Sequence, residues 1–225
     1  MSDFGDIEFE ENADPRAPTC IVLDCSDSMS QKFQGEARSP LEALNGALDV
    51  LVSEIHNDML SRRRVELSFL PYGTQIADPT PFGTIDNIVV PELSPMGITN
   101  TGAALVRALD HLEERKQEYK QNGIAYFMPT LYLLSDGLSM DDLTPATTRI
   151  KELQNNKKLS FFAIGVEGAD LEQLSAIGTR PALGLQGVKF NELFEWISQS
   201  AASVSASNPG EDVKLPGGLD SWATL

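Results

Sequence analysis

One short segment constrains this chain more than any other: an apolar run that ends in a carboxylate and two alternating hydroxyls. The run Ile21-Val22-Leu23 leads to Asp24, and the loop that follows carries Ser26 and Ser28. An unbroken apolar run is typical of a buried strand, and such strands present functional groups at their carboxyl ends. Asp and Ser oxygens are hard donors that suit Mg²⁺, but one Asp and two hydroxyls do not complete its octahedral shell.

Two further segments are candidates for the missing ligands. Gly97-Ile98-Thr99-Asn100-Thr101 leads into a predicted helix, and Leu131 to Ser135 is a second apolar strand, followed by Asp136-Gly137. Both predicted strands therefore end in a carboxylate, in the position where open α/β sheets bind their ligands.

The three segments together resemble the von Willebrand factor A domain. The resemblance rests on Asp-x-Ser-x-Ser after the first strand, Gly-x-Thr before a helix and Asp-Gly after a later strand, in that order. It runs from about Pro18 to Ser203, which is most of the chain. In that family these motifs form a metal-ion-dependent adhesion site.

The resemblance implies a role for each position in this sequence. Ser26 and Ser28 correspond to direct metal ligands, and Asp24 and Asp136 to carboxylates that bind directly or through water. Thr99 corresponds to the ligand that engages when the site is occupied. The alternative for each residue taken singly is a turn former or a helix cap.

Three neighbouring residues are predicted to have other roles. We expect Thr101 to cap the following helix, and it is the alternative ligand if Thr99 is not used. Asp27 stands where many relatives carry Gly, and we expect its carboxylate to face solvent. Cys25 is predicted to be a small packing residue, since a hard cation does not need a thiolate.

The composition excludes several classes of protein. The 225 residues carry a formal net charge of −16, which argues against binding nucleic acid, because phosphate recognition needs a basic face. We find no apolar run of the roughly 18 to 20 residues that a membrane span requires, and the acidic start does not resemble a signal peptide. Cys20 and Cys25 are the only cysteines. We therefore expect a cytoplasmic protein in a reducing compartment.

Strand and helix patterns alternate through the body of the chain. Ser39-Pro40-Leu41-Glu42 is a capping box with Pro at the first helical position. Strands are predicted at 19–23, 65–72, 85–90, 131–135 and 159–166, and helices from 39, 101, 145, 170 and 191. The alternation and the resemblance predict an α/β fold: a doubly wound, mostly parallel six-stranded sheet with helices on both faces and one short antiparallel edge strand.

The predicted domain covers residues 18–203 and has an extension at each end. Residues 1–17 form an acidic N-terminal extension that we expect to be disordered or loosely docked. Residues 204–225 are rich in Pro and Gly, yet they include Trp222. We expect this C-terminal tail to pack back on the domain rather than to dock into a partner.

Within the family, the chain most resembles the short bacterial TerY-type proteins. The resemblance lies in the first helix from Ser39, in Ser135-Asp136-Gly137 followed by Asp141-Asp142, and in the closing strand and helix. These proteins are associated with tellurite resistance and stress response, and some are paired with a protein kinase and a metal-dependent phosphatase.

The resemblance implies a protein-binding module in which Mg²⁺, with Mn²⁺ or Ca²⁺ as alternatives, takes a carboxylate from a protein partner. A second hypothesis is a metal-stabilised scaffold that binds partners through its termini. The third is a Mg²⁺-dependent phosphoryl-transfer or hydrolytic enzyme built on Asp24. The sequence disfavours an enzyme because it has no phosphate-binding glycine loop, and neither histidine is placed near the site.

Overall fold

The chain forms one open sheet with helices on both faces. The structure, a computed structural model, describes residues 12–137, 139–211, 213–214, 216–219 and 223–224. The parallel strands are β1 (Ala17–Asp24), β2 (Val65–Tyr72), β4 (Thr130–Ser135), β5 (Ser160–Gly165) and β6 (Leu183–Leu185). Two-residue strands lie at the edges, β3 (Gly83–Thr84) and β7 (Ala223–Thr224), and both are antiparallel to their neighbours.

Six helices connect the strands. They are α1 (Pro40–Asn57), α2 (Met59–Arg64), α3 (Thr101–Gln121), α4 (Thr144–Asn155), α5 (Leu171–Ile177) and α6 (Phe190–Ser205), and a 3₁₀ turn covers Asp27–Ser30. The capping box at Ser39 is confirmed: its hydroxyl accepts the Glu42 N–H, and the Glu42 carboxylate accepts the Ser39 N–H. Among the described residues, no helix is both long and apolar enough to cross a bilayer.

The strand order is β3-β2-β1-β4-β5-β6-β7. The predicted doubly wound sheet of six mostly parallel strands with a short antiparallel edge strand is confirmed, and β7 adds a seventh strand at the far edge. Because the chain moves outward from β1 in one direction and from β4 in the other, the order reverses between these two strands. Such a switch point opens a crevice beyond the carboxyl ends of the strands.

Two apolar layers hold the helices on the sheet. Helices α1 and α6 pack with alternate strand residues such as Ile21, Phe69 and Leu134 on one face. Helices α3, α4 and α5 cover the other face, against residues such as Val22 and Leu133. Since the strands are buried on both sides, their unbroken apolar runs are the pattern that this architecture requires.

One predicted strand is wrong. Residues 85–90 do not form a strand, because the Asn87 N–H donates to the Thr84 carbonyl at 2.8 Å and closes a turn directly after β3. Val89 and Val90, which suggested a strand, are exposed. The antiparallel edge strand instead lies two residues earlier, where Gly83 pairs with Leu67.

The ends of the chain are described only in part. Of the predicted N-terminal extension, residues 1–11 lie outside the described residues, and so does Trp222 of the C-terminal tail. In the described part of the tail, β7 pairs with β6, and the Pro216 carbonyl accepts a hydrogen bond from the Trp196 indole at 3.1 Å. The division of the chain at residues 17 and 203 stays a prediction.

Candidate metal site

The candidate ligands lie at the switch point of the sheet. Asp24 is the last residue of β1, and Asp136 directly follows β4, which pairs with β1. Ser26 and Ser28 lie on the loop that leaves β1, and Thr99 precedes α3 by two residues. The fold therefore brings together, at one edge, three segments that are far apart in the sequence.

The Asp24 carboxylate is buried and held by three donors. One oxygen accepts the Ser26 N–H at 2.8 Å, and the other accepts the Ser135 hydroxyl at 2.6 Å and the Tyr72 hydroxyl at 3.3 Å. Burial raises the pKa of Asp24 above its ordinary value, and the charge of Asp136 raises it further, while the bonds from Ser135 and Ser26 oppose the shift. The carboxylate is thus fixed in place, but its charge is poorly compensated.

The two serine hydroxyls converge beside this carboxylate. Ser26 Oγ and Ser28 Oγ lie 2.9 Å apart, with Ser26 buried and Ser28 exposed. The 3₁₀ turn brings Ser28 back toward Ser26, and a hydrogen bond from Met29 N–H to the Ser26 carbonyl closes that turn. Two oxygen donors therefore lie together at the solvent boundary.

The Asp136 carboxylate is the feature that most strongly indicates a bound cation. Its Oδ1 is buried and has no hydrogen-bond partner among the described residues. An unpaired buried carboxylate oxygen is unfavourable. Within the described residues no Lys, Arg or His forms an ion pair with Asp136 or Asp24, so a cation at this point would satisfy both charges.

Gly137 permits the turn that carries Asp136. Its φ is +90°, and a Cβ there would lie 2.7 Å from the Asp170 backbone nitrogen. A left-handed φ in such a tight contact favours glycine. The Asp-Gly pair read from the sequence is therefore a requirement of the backbone at this corner.

Thr99 is buried, and its carbonyl accepts the Met140 N–H at 2.8 Å. This bond joins the loop before α3 to the loop after β4. The predicted cap at Thr101 is wrong: Asn100 occupies the N-cap position and α3 begins at Thr101. The Thr101 hydroxyl instead lies 3.1 Å from the Tyr72 hydroxyl. It therefore contacts the group that donates a hydrogen bond to Asp24.

Asp141 provides the cap that Thr101 was expected to provide. Its two oxygens accept the N–H groups of Gly102 at 2.9 Å and Ala103 at 2.8 Å, and Oδ1 also accepts the Ser139 hydroxyl. A Cβ at Gly102 would lie 2.4 Å from the Asp142 carbonyl. Glycine therefore lets the loop after β4 dock on the start of α3.

The remaining two residues of the first loop behave as expected. Asp27 is exposed, and its carboxylate accepts the Gly97 N–H at 3.2 Å. Cys25 is fully buried, and desolvation together with the charge of Asp24 raises the pKa of its thiol to about 12. A protonated, enclosed thiol is a packing residue.

Sequence reasoning missed Tyr72, Ser135 and Asp141. Tyr72 and Ser135 hold Asp24 across 48 and 111 positions of the chain, and such contacts have no local signal. The positions of Tyr72 and Ser135 at the last residues of two predicted strands would have placed them at the same edge. In the described part of the chain, no three Cys, His, Asp or Glu side chains form a metal cluster, so the candidate site consists of two carboxylates and hydroxyls.

The comparison with protein families decides the identity of this fold. The sequence model of the von Willebrand factor type A domain matches residues 20–195. The chain belongs to this family. Von Willebrand factor A domains bind divalent metal at an adhesion site through which they contact proteins, and they are typically not enzymes. No curated protein matched the sequence.

Solved structures share the fold at low sequence identity. Proximal thread matrix protein 1 from the mussel byssus superposes with a TM-score of 0.57 at 15% identity, over 85% of this chain and 48% of that one. The PilB minor pilin from Streptococcus sanguinis gives 0.59 at 13% identity, over 86% and 64%. The pilus adhesin SpaC from Lactobacillus rhamnosus GG gives 0.61 at 12% identity, over 86% and 31%. The chain thus spans about half the length of the mussel protein, and these likenesses show the fold alone.

Proposed function

We propose that Asp24, Ser26, Ser28, Thr99 and Asp136 hold a divalent cation, Mg²⁺, and that a carboxylate of a protein partner completes the site. The observation that carries the proposal is the buried, unpaired Asp136 Oδ1 beside the buried Asp24. The donors are all oxygens, as Mg²⁺ prefers, with Mn²⁺ or Ca²⁺ as alternatives. A structure of the mussel protein with zinc in its adhesion motif supports a divalent cation in this fold.

The residues around the site divide into two groups with different tasks. Ser135, Tyr72 and the Ser26 N–H fix the Asp24 carboxylate. Asp141 ties the loop after β4 to the start of α3. When bound, Mg²⁺ supplies a compact positive charge and an open position for an oxygen ligand. The exposed Ser28 lies on the side from which a partner would approach.

Several finer points of the proposal rest on sequence resemblance. We propose that the chain acts in the cytoplasm in a TerY-type system for tellurite resistance or stress response, with a kinase or phosphatase of that system as partner. The motifs after Ser39 and Ser135 support this assignment. We also propose that the protein is not an enzyme. His111 supports this because it hydrogen-bonds to Ser68 and the Thr80 carbonyl, away from the candidate ligands.

A pull-down from host lysate tests the proposal. The bait is wild-type protein in Mg²⁺, wild type in EDTA, or the Asp136→Asn variant. Glu54→Gln is the matched control, because it removes one exposed charge on α1 without touching the candidate ligands. We expect a partner retained only by metal-loaded wild type and by the control. A partner retained equally by all baits contradicts the proposal.

The Thr99→Ala variant separates this proposal from the scaffold hypothesis. If the metal only stabilises the domain while the termini bind the partner, Thr99→Ala leaves partner binding intact. If Thr99 engages with the occupied site, the variant loses the partner while its folded state, measured by circular dichroism, is retained.

A further inference from the structure

The surface around the candidate site is formed by four adjoining segments, which we name the rim: residues 24–30, 96–101, 136–142 apart from 138, and 166–170. Backbone hydrogen bonds join them, from Met96 N–H to the Cys25 carbonyl at 2.7 Å and from Met140 N–H to the Thr99 carbonyl at 2.8 Å. The last segment is joined through Val166 N–H to the Ser135 carbonyl at 2.9 Å. The rim is therefore one continuous surface.

The rim is acidic without any base. Its sequence contains seven carboxylates and no Lys, Arg or His, and a divalent cation offsets only two of those charges. The exposed carboxylates are Asp27, Asp142, Glu167 and Asp170. Lys32 lies further along the loop after β1, where its amino group donates to the Ala37 carbonyl and lies 3.7 Å from Glu42.

The rim also carries two large exposed apolar side chains. Ile98 is 52% exposed and Met140 is 69% exposed. Ile98 directly precedes Thr99, whose carbonyl accepts the Met140 N–H. The two apolar side chains therefore lie on adjoining loops. Exposed apolar side chains beside a polar site are typical of protein interfaces rather than of sites for small ions.

These two features conflict with a purely acidic ligand. An incoming carboxylate approaches a surface whose excess charge is negative, and like charges across an interface are unfavourable. We propose that the partner segment presents one Asp or Glu flanked by Lys or Arg, with an apolar side chain against Ile98 and Met140. The inference rests on the proposed function and specifies its partner: the carboxylate enters the site and the flanking bases pair with the rim.

Four labelled peptides of seven residues test this partner class by fluorescence anisotropy. The basic peptide has a central Asp between two leucines and two lysines at each end. The neutral peptide has glutamines at the ends, the acidic peptide has glutamates, and the fourth peptide is the basic one with Asn in place of Asp. All are titrated with metal-loaded protein at low and at high salt, and again in EDTA.

We expect the basic Asp peptide to bind about tenfold more tightly than the neutral one at low salt, since several exposed charge pairs act together. The difference shrinks at high salt through screening. The Asn peptide and EDTA abolish binding. Charge reversal at Asp142→Lys with Glu167→Lys removes the preference for basic flanks. The control Glu54→Lys keeps it, because Glu54 is exposed on α1 about 21 Å along that helix from its start near the site.

The possible failures are distinguishable. Equal binding of the basic and neutral Asp peptides, both dependent on Mg²⁺, overturns the preference for basic flanks and leaves the proposed function standing. Equal binding of the Asp and Asn basic peptides, while the neutral Asp peptide still binds only with Mg²⁺, shows general attraction to an acidic protein and overturns the inference alone. Absence of Asp-dependent binding by any peptide overturns the proposed function as well.

Discussion

A carboxylate is buried at each end of the parallel strands. Among the described residues, only the carboxylate at the amino end has cationic partners. At the amino end, Glu66 in β2 is fully buried, with Arg16 Nε 2.9 Å and Arg115 Nε 2.8 Å from its oxygens, and it accepts the Tyr119 hydroxyl. At the carboxyl end, Asp24 is equally buried but accepts only neutral donors and has Asp136 nearby. The chain supplies the cations for Glu66 and none of the described residues supplies one for Asp24.

This difference separates a structural cluster from a binding site. A buried carboxylate between two guanidinium groups is complete, and removal of one member leaves an unpaired charge. A buried carboxylate without a base raises the energy of the folded state until an external cation binds. We therefore expect the amino end to determine stability and the carboxyl end to determine binding.

The largest effect is expected from Glu66→Gln, which leaves Arg16 and Arg115 without their shared anion. We expect a loss of about 3–5 kcal/mol in the free energy of unfolding, independent of Mg²⁺. Urea unfolding measures it. Glu118→Gln is the matched control, because it removes the half-exposed partner of Arg115 and should change stability by less than about 1 kcal/mol. A loss for Glu66→Gln no larger than for the control contradicts the structural role.

The next effect is expected from Asp24→Asn, and its sign depends on the metal. At Mg²⁺ concentrations a hundredfold above its dissociation constant, wild type gains about 2.7 kcal/mol, and the variant should lose this gain. In EDTA the order reverses, because the substitution removes a buried charge. The Asn amide oxygen still accepts the Ser26 N–H, and its NH₂ group donates to the Ser135 hydroxyl instead of accepting from it. Urea unfolding in both conditions measures the difference.

The pH dependence in EDTA follows from the raised pKa of Asp24. The folded protein holds this proton to higher pH than the unfolded chain, whose pKa is near 3.8. Ionised Asp24 therefore destabilises the folded state increasingly as the pH rises above 3.8 toward neutral. We expect Asp24→Asn to be more stable than wild type at pH 7 and the difference to vanish near pH 4. A constant difference across this range contradicts the assignment.

The sequence predicted the parts of these two regions that depend on local signals, and it missed the contacts between residues far apart in the chain. Apolar runs and the capping box at Ser39 are local signals, and they predicted the buried strands and the first helix. The three motifs likewise brought Asp24, Thr99 and Asp136 to one edge. The ion cluster at Glu66 was not predicted, because its two arginines lie far from it in the sequence. Arg16 is 50 positions before Glu66, and Arg115 is 49 positions after it.

A smaller effect is expected from Asp141→Ala, which removes the acceptors for Gly102 and Ala103. Loss of a helix cap lowers stability by about 0.5–2 kcal/mol. Because Asp141 also joins the loops that carry Thr99 and Asp136, we expect weaker Mg²⁺ binding. Asp141→Asn retains one acceptor and should lose less of both. Unchanged Mg²⁺ affinity in Asp141→Ala would show that the two loops are positioned independently of this cap.

The smallest effect concerns the thiols. Desolvation raises the pKa of both Cys20 and Cys25 to about 12, so neither thiolate is available at neutral pH. We expect the native protein to resist a thiol reagent such as DTNB, with or without Mg²⁺, until it unfolds in urea. Rapid modification of Cys25 in EDTA alone would mean that the first loop opens without metal.

A count of bound Mn²⁺ by electron paramagnetic resonance, with Mg²⁺ as competitor, tests directly whether the protein holds a metal ion at this edge of the sheet. Mn²⁺ is a stand-in for Mg²⁺ because both favour oxygen ligands. We predict one competable site in wild type, its loss in Asp136→Asn and its retention in Asp142→Asn. Binding that survives Asp136→Asn unchanged, or wild type without a competable site, would contradict the claim that the carboxyl end of the sheet is a metal site.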